Sequence, residues 1–254
     1  MKSFLIFTKK EIVEQMRTYK TLILLSVFFL FGLMSPVLAK FLPDLLEGME
    51  LQGMKLVIPE PTTLDAYGQF FKNLTQMGIL VTLLVFGGVL SNELTKGTLI
   101  NILARGLPRY TVILSKFTAS ILLWTIAYLL AVTVNCGYTQ YLFEDTGVLN
   151  LPFSLFCLWL FGCLVITLIL LSSTILSGNF GGLILPAAAL AIMLLLGINP
   201  NLERYNPVTL ASKNVILLTG TASVEELIPT IVITVVLILG SLLLSAALFH
   251  RKRL

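Results

Sequence analysis

Apolar residues along this chain form long runs, and short charged gaps separate the runs. A helix that crosses the core of a membrane, about 30 Å thick, takes roughly 20 residues. Runs of that length lie at about 21–41, 74–92, 113–135, 152–176, 180–198 and 228–249. The pattern therefore predicts an all-α integral membrane protein, with a single transmembrane domain of six spans over residues 1–254.

Composition supports the same class. The mean hydropathy is +0.95, and only 12% of the residues are charged. Soluble domains usually carry about 25% charged residues. A soluble fold is therefore excluded before any motif is considered.

The charged gaps alternate in sign, and this alternation predicts the orientation of the chain. Basic residues dominate the N-terminal segment, the gap at 92–116 and the C-terminal end, whereas acidic residues dominate the gaps at 43–73 and 144–145. Lys and Arg accumulate on the cytoplasmic side of membrane proteins. This assignment gives the cytoplasm 12 of the 17 basic residues but 3 of the 13 acidic ones. Both termini are therefore expected inside, and the net charge of +4 indicates no nucleic-acid partner.

Residues 3–19 have the periodicity of an amphipathic helix. One face carries Leu5, Ile12, Met16 and Tyr19, and the opposite face carries Lys10, Glu14 and Arg17. Such a helix is expected to lie in the membrane plane on the cytoplasmic side. It could anchor the chain to membrane lipid or dock a cytoplasmic partner, and the two roles are compatible.

The segment 92–116 reads NELTKGTLINILARGLPRYTVILSK. Gly97 can end the second span, Thr98 can cap a new helix, Gly106 can close it, and Pro108 suits the first turn of the next helix. A helix of about two turns is unstable alone in water. Its apolar residues, Leu99, Ile102 and Leu103, must therefore be buried against the chain's own bundle or against a partner. We favour a partner.

Two further features of the chain have both a structural and a functional interpretation. The long acidic gap from Pro43 to Asn73 can form a short helix at Leu64–Lys72, and it is either a solvated loop or a cap that receives substrate. Gly178 and Gly182 have the G-x-x-x-G spacing of closely packed helices, but they lie at a turn.

Proline inside a span kinks its helix and can shape a cavity. Together with hydroxyl groups in the spans, these kinks predict a substrate path that includes four residues, namely Ser35, Pro36, Thr82 and Pro186.

Ionisable groups are absent from the middle of the predicted spans, which argues against a proton-coupled transporter or a charge-selective channel. His250 is the only histidine and lies in the C-terminal tail. No phosphate-binding G-x-x-x-x-G-K-[ST] motif is present, and the three cysteines have no metal-binding or disulfide spacing. We therefore expect no catalytic, cofactor-binding or metal-binding residue in this chain, so it is not expected to be an enzyme.

The whole layout resembles the permease subunit of type-two ATP-binding-cassette (ABC) exporters. The likeness is sharpest at Glu93–Lys116, with an acidic residue, Gly-Thr, a short apolar helix, Pro-Arg and a lysine at the start of span three. Two other stretches share it: PEPTTLDAYGQFFKNLTQMG at 59–78 is similar to the outer loop leading into span two, and FHRKRL is similar to the basic stop after span six. One departure is the segment 199–227, a modest loop where several members carry long re-entrant helices or a folded domain.

The resemblance implies a coupling helix around Thr98–Arg105 that contacts a separate ABC ATPase subunit. The implied contact residues are Glu93, Lys96, Thr98, Leu99, Ile102, Leu103 and Arg105. It further implies ATP and Mg²⁺ in that ATPase, a second permease copy, either identical or a paralogue, and a place in the bacterial cell membrane. No cofactor is implied in this chain.

The function expected on these grounds is ATP-driven export of a hydrophobic or amphipathic substrate, best a peptide toxin or bacteriocin. A lipid or drug exporter of the same class is one alternative. A six-span substrate-binding subunit of a vitamin importer is another, although that protein should offer a polar pocket. An intramembrane enzyme is disfavoured because the catalytic groups are absent.

Overall fold

The computed structural model describes residues 2–47, 60–104, 106–144, 147–176, 178 and 180–252. These residues form thirteen α-helices and one π-helical turn. In chain order the helices are α1 (Lys2–Arg17), α2 (Lys20–Glu47), α3 (Thr63–Asn73), α4 (Ile79–Phe86), α5 (Ser91–Thr95), α6 (Thr98–Ala104), α7 (Arg109–Leu142), α8 (Leu151–Ile175), α9 (Gly181–Leu196), α10 (Pro200–Glu203), α11 (Thr209–Ser212), α12 (Asn214–Leu218) and α13 (Val224–Arg251). The described part of the chain contains no strand.

Five helical segments in this part of the chain are long and apolar enough to cross a membrane. They are Lys20–Pro43, Thr63–Thr95, Arg109–Leu142, Leu151–Ile175 and Val224–Arg251. The chain is therefore a multi-pass all-α membrane protein. The prediction of six spans is not confirmed, because the predicted span at 180–198 forms only the 16-residue helix α9.

The second membrane-length segment begins well before the predicted residue 74. Thr62 caps α3, since its backbone N–H donates to Asp65 Oδ2 at 2.9 Å and Asp65 N–H donates to Thr62 Oγ1 at 3.4 Å. A π-helical turn at Leu74–Gly78 then joins α3 to α4 without a break. The helix expected at Leu64–Lys72 is confirmed as α3, and it continues through the π-helical turn into the apolar run.

Helix α8 lies at the centre of the bundle, and most of its residues are buried. It packs against α7, α9 and α13, and also against α4, α11 and α12. Helices α2 and α13 lie at the periphery, and many of their apolar side chains are exposed. In a membrane-spanning chain these side chains face lipid or another membrane protein.

Glycines let neighbouring segments approach one another closely at three places. A Cβ atom at Gly32 of α2 would lie 2.6 Å from the carbonyl oxygen of Ala131 in α7, and a Cβ at Gly162 would overlap the Trp124 ring. Gly182 likewise meets the carbonyl of Gly87, whereas Gly178 has a φ of +122° and open space around it. Of the two glycines with G-x-x-x-G spacing, Gly182 therefore serves close packing and Gly178 serves the turn.

The segment before the last span is not the loop that the sequence suggested. It forms the three short helices α10 to α12, of which α11 and α12 pack on α8. Leu210, Leu217 and Leu218 are fully buried. These leucines give the segment an apolar side that the neighbouring long helices cover.

Candidate functional site

The short helix α6 lies between the two glycines that predict its ends. Gly97 has a φ of +66° and Gly106 a φ of +86°, the left-handed conformation that closes a helix at little cost for glycine. Pro108 precedes the first residue of α7. The helix bounds predicted from the sequence are thus confirmed, while Arg105 lies outside the described residues.

Helix α6 is anchored to the chain's own bundle. Leu99 is only 1% exposed and packs in an apolar cluster with Phe7, Leu90, Val112, Ile113, Leu170 and Phe249. Leu103 is partly buried against the same cluster, and the Ile102 side chain lies outside the described set. Own-bundle packing, the alternative to a partner, therefore accounts for Leu99. Lys96 and Thr98 are exposed, and a contact of any of the seven residues with an ATPase stays a prediction.

A buried lysine lies beside this helix. Lys116 is 1% exposed, and its ammonium lies 2.8 Å from Glu11 Oε2 and 2.7 Å from Glu93 Oε2. It also donates to the carbonyl of Val89 at 2.9 Å. The sequence places Lys116 at the start of span three, but the structure places it two turns inside α7, where three acceptors on α1 and on the second membrane-length segment surround it.

Lys10 joins the same group of charges. Its ammonium lies 2.6 Å from Glu14 Oε2, 2.7 Å from Glu93 Oε1 and 3.1 Å from Glu11 Oε1. Burial by itself lowers the pKa of Lys10, but hydrogen bonds to Glu14 and Glu93 outweigh it and hold the pKa above its ordinary value. We call Lys10, Glu11, Glu14, Glu93 and Lys116 the ionic junction.

Carboxylate oxygens of Glu11, Glu14 and Glu93 lie within 4.8 Å of one another, a spacing that could hold a metal ion. In this structure the ammonium of Lys10 lies within ion-pair distance of all three, and that of Lys116 within the same reach of two. The two lysines therefore offset two of the three neighbouring negative charges.

The ionic junction joins three parts of the chain that are distant in sequence. A buried ion pair contributes little net stability, but loss of one partner leaves an unpaired buried charge and costs about 3–5 kcal/mol. The group therefore favours arrangements in which α1, the end of the second membrane-length segment and α7 stay together. It is a suitable connection through which displacement of one of these elements can move the other two.

On this side of the molecule, two basic side chains also bind the C-terminal ends of α13 and α8. Arg109 Nη1 donates to the carbonyls of Phe249, His250 and Lys252 at 3.3, 2.8 and 2.6 Å. Lys252 Nζ donates to the carbonyl of Thr174 at 2.9 Å. The last carbonyls of a helix have no partner within it, so these contacts satisfy the ends of α13 and α8.

The four residues of the expected substrate path are all buried, and they lie on α2, α4 and α9. Ser35 donates to the Phe31 carbonyl at 2.6 Å and accepts from Asn73 Nδ2 at 3.0 Å. Thr82 donates to the carbonyl of Gly78 at 2.7 Å. Pro36 and Pro186 are buried inside their helices, and the role of all four in transport stays a prediction.

Sequence reasoning missed the partners that Lys10, Glu11 and Glu14 find. One signal was present: Glu11 lies four residues from both Phe7 and Gln15, on the side of α1 that the bundle buries. The exposed side of α1 carries Leu5 and Met16, and Tyr19 just beyond the helix is also exposed, as expected for a helix whose apolar face contacts lipid. Its in-plane orientation stays a prediction.

The comparison of this chain with known proteins gives no relative. No protein-family model matches it, and no curated protein matches it closely enough to count as similar. Its class as a multi-pass membrane protein therefore rests on its own five long apolar helices.

Proposed function

We propose that this chain is the membrane-spanning subunit of an ATP-driven exporter and that α6 is its coupling helix. One observation carries the proposal. A two-turn helix, closed by glycines at both ends, is anchored by Leu99 and leaves Thr98 and the adjacent Lys96 exposed. A contact helix of a separate motor subunit needs this combination of a fixed underside and a free outer side.

The ionic junction connects the segment next to α6 with the rest of the bundle. Glu93 lies in α5, five residues before the start of α6, and pairs with Lys10 of α1 and Lys116 of α7. Force applied to α6 would therefore move the cytoplasmic end of α7 together with α1. The energy would come from ATP and Mg²⁺ in the partner, and two copies of this chain, identical or paralogous, would form the transport unit.

Several exporters of the resembling class carry long re-entrant helices or a folded domain before their last span. Here α10 to α12 are only 4, 4 and 5 residues long, and α11 and α12 pack against α8. The departure noted in the sequence therefore remains.

The proposed orientation places both termini and α6 in the cytoplasm. Single cysteines at Glu60 and Lys96, both exposed, test it in a background without the three native cysteines. In intact cells a membrane-impermeant thiol reagent should label residue 60 and not residue 96. Labelling of residue 96 from outside would contradict the orientation.

The proposed cargo is a hydrophobic or amphipathic peptide, with a lipid or drug as the alternative. At the end of the bundle opposite the ionic junction, a cavity of about 620 Å³ lies between α2 and α3. Its lining is mainly apolar, including Leu38, Leu42 and Leu64, but Asp65 and Lys72 also contribute. A surface with both characters suits a molecule with an apolar body and a few polar groups.

Co-purification with an ATPase tests the coupling proposal. Wild-type protein should retain a phosphate-loop ATPase encoded beside its gene, and the complex should hydrolyse ATP. Lys96→Glu reverses an exposed charge next to α6 and should weaken retention about tenfold, as repulsion of roughly 1.4 kcal/mol would. Lys72→Glu, a matched reversal of an exposed lysine at the opposite end, should retain the ATPase.

Two outcomes would contradict the coupling proposal. In the first, both variants retain the ATPase equally and keep wild-type hydrolysis, so that α6 plays no part in the contact. In the second, wild-type protein purifies without any ATPase under conditions that keep it folded.

Deletion of the gene tests the cargo. Cells without it should become sensitive to membrane-active peptides or should retain such a peptide inside. Unchanged peptide sensitivity and secretion, together with altered surface lipid or glycan, would contradict the peptide assignment and leave the exporter proposal standing.

A further inference from the structure

A second cavity, of about 410 Å³, lies beside the ionic junction between α1, the first residue of α2 and the end of the second membrane-length segment. Its volume is in the range of about 300–1,000 Å³ that small-molecule sites occupy. Its wall includes Gln15, Lys20 and Lys96, and four members of the ionic junction, namely Lys10, Glu11, Glu14 and Glu93, form part of the same wall.

The ionic junction holds two lysines and three glutamates, a net charge of −1, and Lys20 and Lys96 bring the group around the cavity to +1. Each of the three carboxylates in its wall already pairs with Lys10 or Lys116, or with both. Lys20 and Lys96, by contrast, form no ion pair with any residue that the structure describes. A cationic ligand would find its carboxylates occupied, whereas an anion would find two lysines available.

A buried hydrogen-bond donor faces the same space. Gln15 is only 4% exposed, lines the cavity, and its side-chain nitrogen has no hydrogen-bond partner within the described structure. A buried donor without an acceptor is unfavourable, so such groups are normally satisfied by protein, water or ligand. An anionic oxygen in the cavity would satisfy Gln15 and pair with Lys20 at the same time.

The surroundings of the cavity distinguish a lipid from a small soluble anion. Lys20 is the first residue of a membrane-length helix, and Ile23, three residues further on the same face of α2, is 48% exposed. Apolar surface of α2 therefore adjoins the cationic cavity, as acyl chains attached to a bound headgroup would require.

We propose that this cavity binds the phosphate of one anionic phospholipid, held by Lys20 and Gln15, with its acyl chains along the exposed apolar surface of α2. The lipid would fill the space between α1 and the bundle and so keep α1 at the membrane surface. The assignment concerns the chain alone and is independent of what the chain transports.

Native mass spectrometry of the purified full chain in detergent tests the site, with dioleoyl phosphatidylglycerol as the probe. Wild-type protein should retain one molecule in preference to dioleoyl phosphatidylcholine. Lys20→Gln should weaken binding about fivefold, the effect expected for one lysine near an anionic lipid. Gln15→Met, which removes the donor but keeps the volume, should also weaken it, and Lys20→Arg should restore it.

The matched control is Lys9→Gln, since Lys9 is an exposed cation of α1 that does not line the cavity. Equal loss of affinity in Lys9→Gln and Lys20→Gln would overturn the site, because it would indicate diffuse surface charge. Equal retention of phosphatidylcholine would also overturn it. Displacement of the lipid by millimolar inorganic phosphate would overturn the assignment to lipid and indicate a soluble phosphate as the ligand.

Discussion

Two regions of the bundle join their helices by different means. Where α2 crosses α7, Gly32 lies against the backbone of Ala131, and Asn135 Nδ2 donates to the Gly32 carbonyl at 3.4 Å. At the ionic junction, long charged side chains bridge the gap between the elements, and Lys10 and Lys116 each contact more than one carboxylate.

The difference indicates which region can move. Close-packed backbone cannot slide without losing contact along the whole crossing. Flexible side chains with several partners can exchange one partner for another while the elements shift. We therefore expect the helix crossing to stay fixed during function, and the junction to keep its three elements together while individual ion pairs exchange partners.

The largest expected effect is that of Lys116→Met. The substitution leaves Glu11 and Glu93 buried beside one another with less positive charge, and it should lower the free energy of unfolding by about 3–5 kcal/mol. Hydrogen exchange in α1 should accelerate. Lys72→Met, at an exposed position, is the control and should melt like the wild type. A loss below about 1 kcal/mol would show that the junction does not hold α1, since that is the range of an exposed ion pair.

Gly32→Ala probes the helix crossing. The added methyl group would lie 2.6 Å from the Ala131 oxygen, and such overpacking should cost about 1–3 kcal/mol. Gly137→Ala in α7 is the control, because its methyl group would meet nothing within 4 Å. Thermal unfolding in detergent measures both. If the two variants melted together, the crossing would not be closely packed.

Arg109→Gln should have a smaller and more local effect. It removes the hydrogen bonds to three terminal carbonyls of α13. The free energy of unfolding should fall by about 1–2 kcal/mol, because the donor is charged and the site is partly exposed. Proteolysis or hydrogen exchange near residues 248–252 should increase. Arg251→Gln, an exposed neighbour, should leave both unchanged, and equal behaviour of the two variants would contradict this role for Arg109.

The smallest effect distinguishes two glutamates of α1 that lie three residues apart. The side chain of Glu14 is 45% exposed and that of Glu11 is 3% exposed. Glu14→Gln should cost about 0–1 kcal/mol, an effect that high salt should remove. Glu11→Gln should cost several times more at any salt concentration. Equal costs would mean that burial does not decide the strength of these pairs.

Features that depend on a few adjacent residues could be predicted from the sequence, whereas features that depend on distant residues could not. The bounds of α6 follow from Gly97, Gly106 and Pro108, because helix ends depend on a few adjacent residues. The burial of Lys116 could not be predicted in this way. Its carboxylate partner Glu11 lies 105 residues away in the chain, and hydropathy treats any lysine as the end of a span.

The start of the second membrane-length segment and the segment at 199–227 were missed for a related reason. The Thr62–Asp65 cap can be predicted from the sequence. The continuation of α3 into α4, however, depends on a π-helical turn that hydropathy does not indicate. The helices α11 and α12 are too short to form alone, and their burial against α8 stabilises them.

The most direct test of the proposed function is ATP-dependent uptake of a fluorescent amphipathic peptide by inside-out membrane vesicles. Vesicles from cells that carry the gene should accumulate the peptide with Mg-ATP and should fail to do so with a non-hydrolysable analogue. Vesicles with the Lys96→Glu variant should accumulate much less, and those with Arg204→Glu, a reversal of an exposed charge outside the proposed cargo cavity, should match the wild type. Equal uptake by vesicles that lack the chain, or uptake driven by a proton gradient without ATP, would contradict the account.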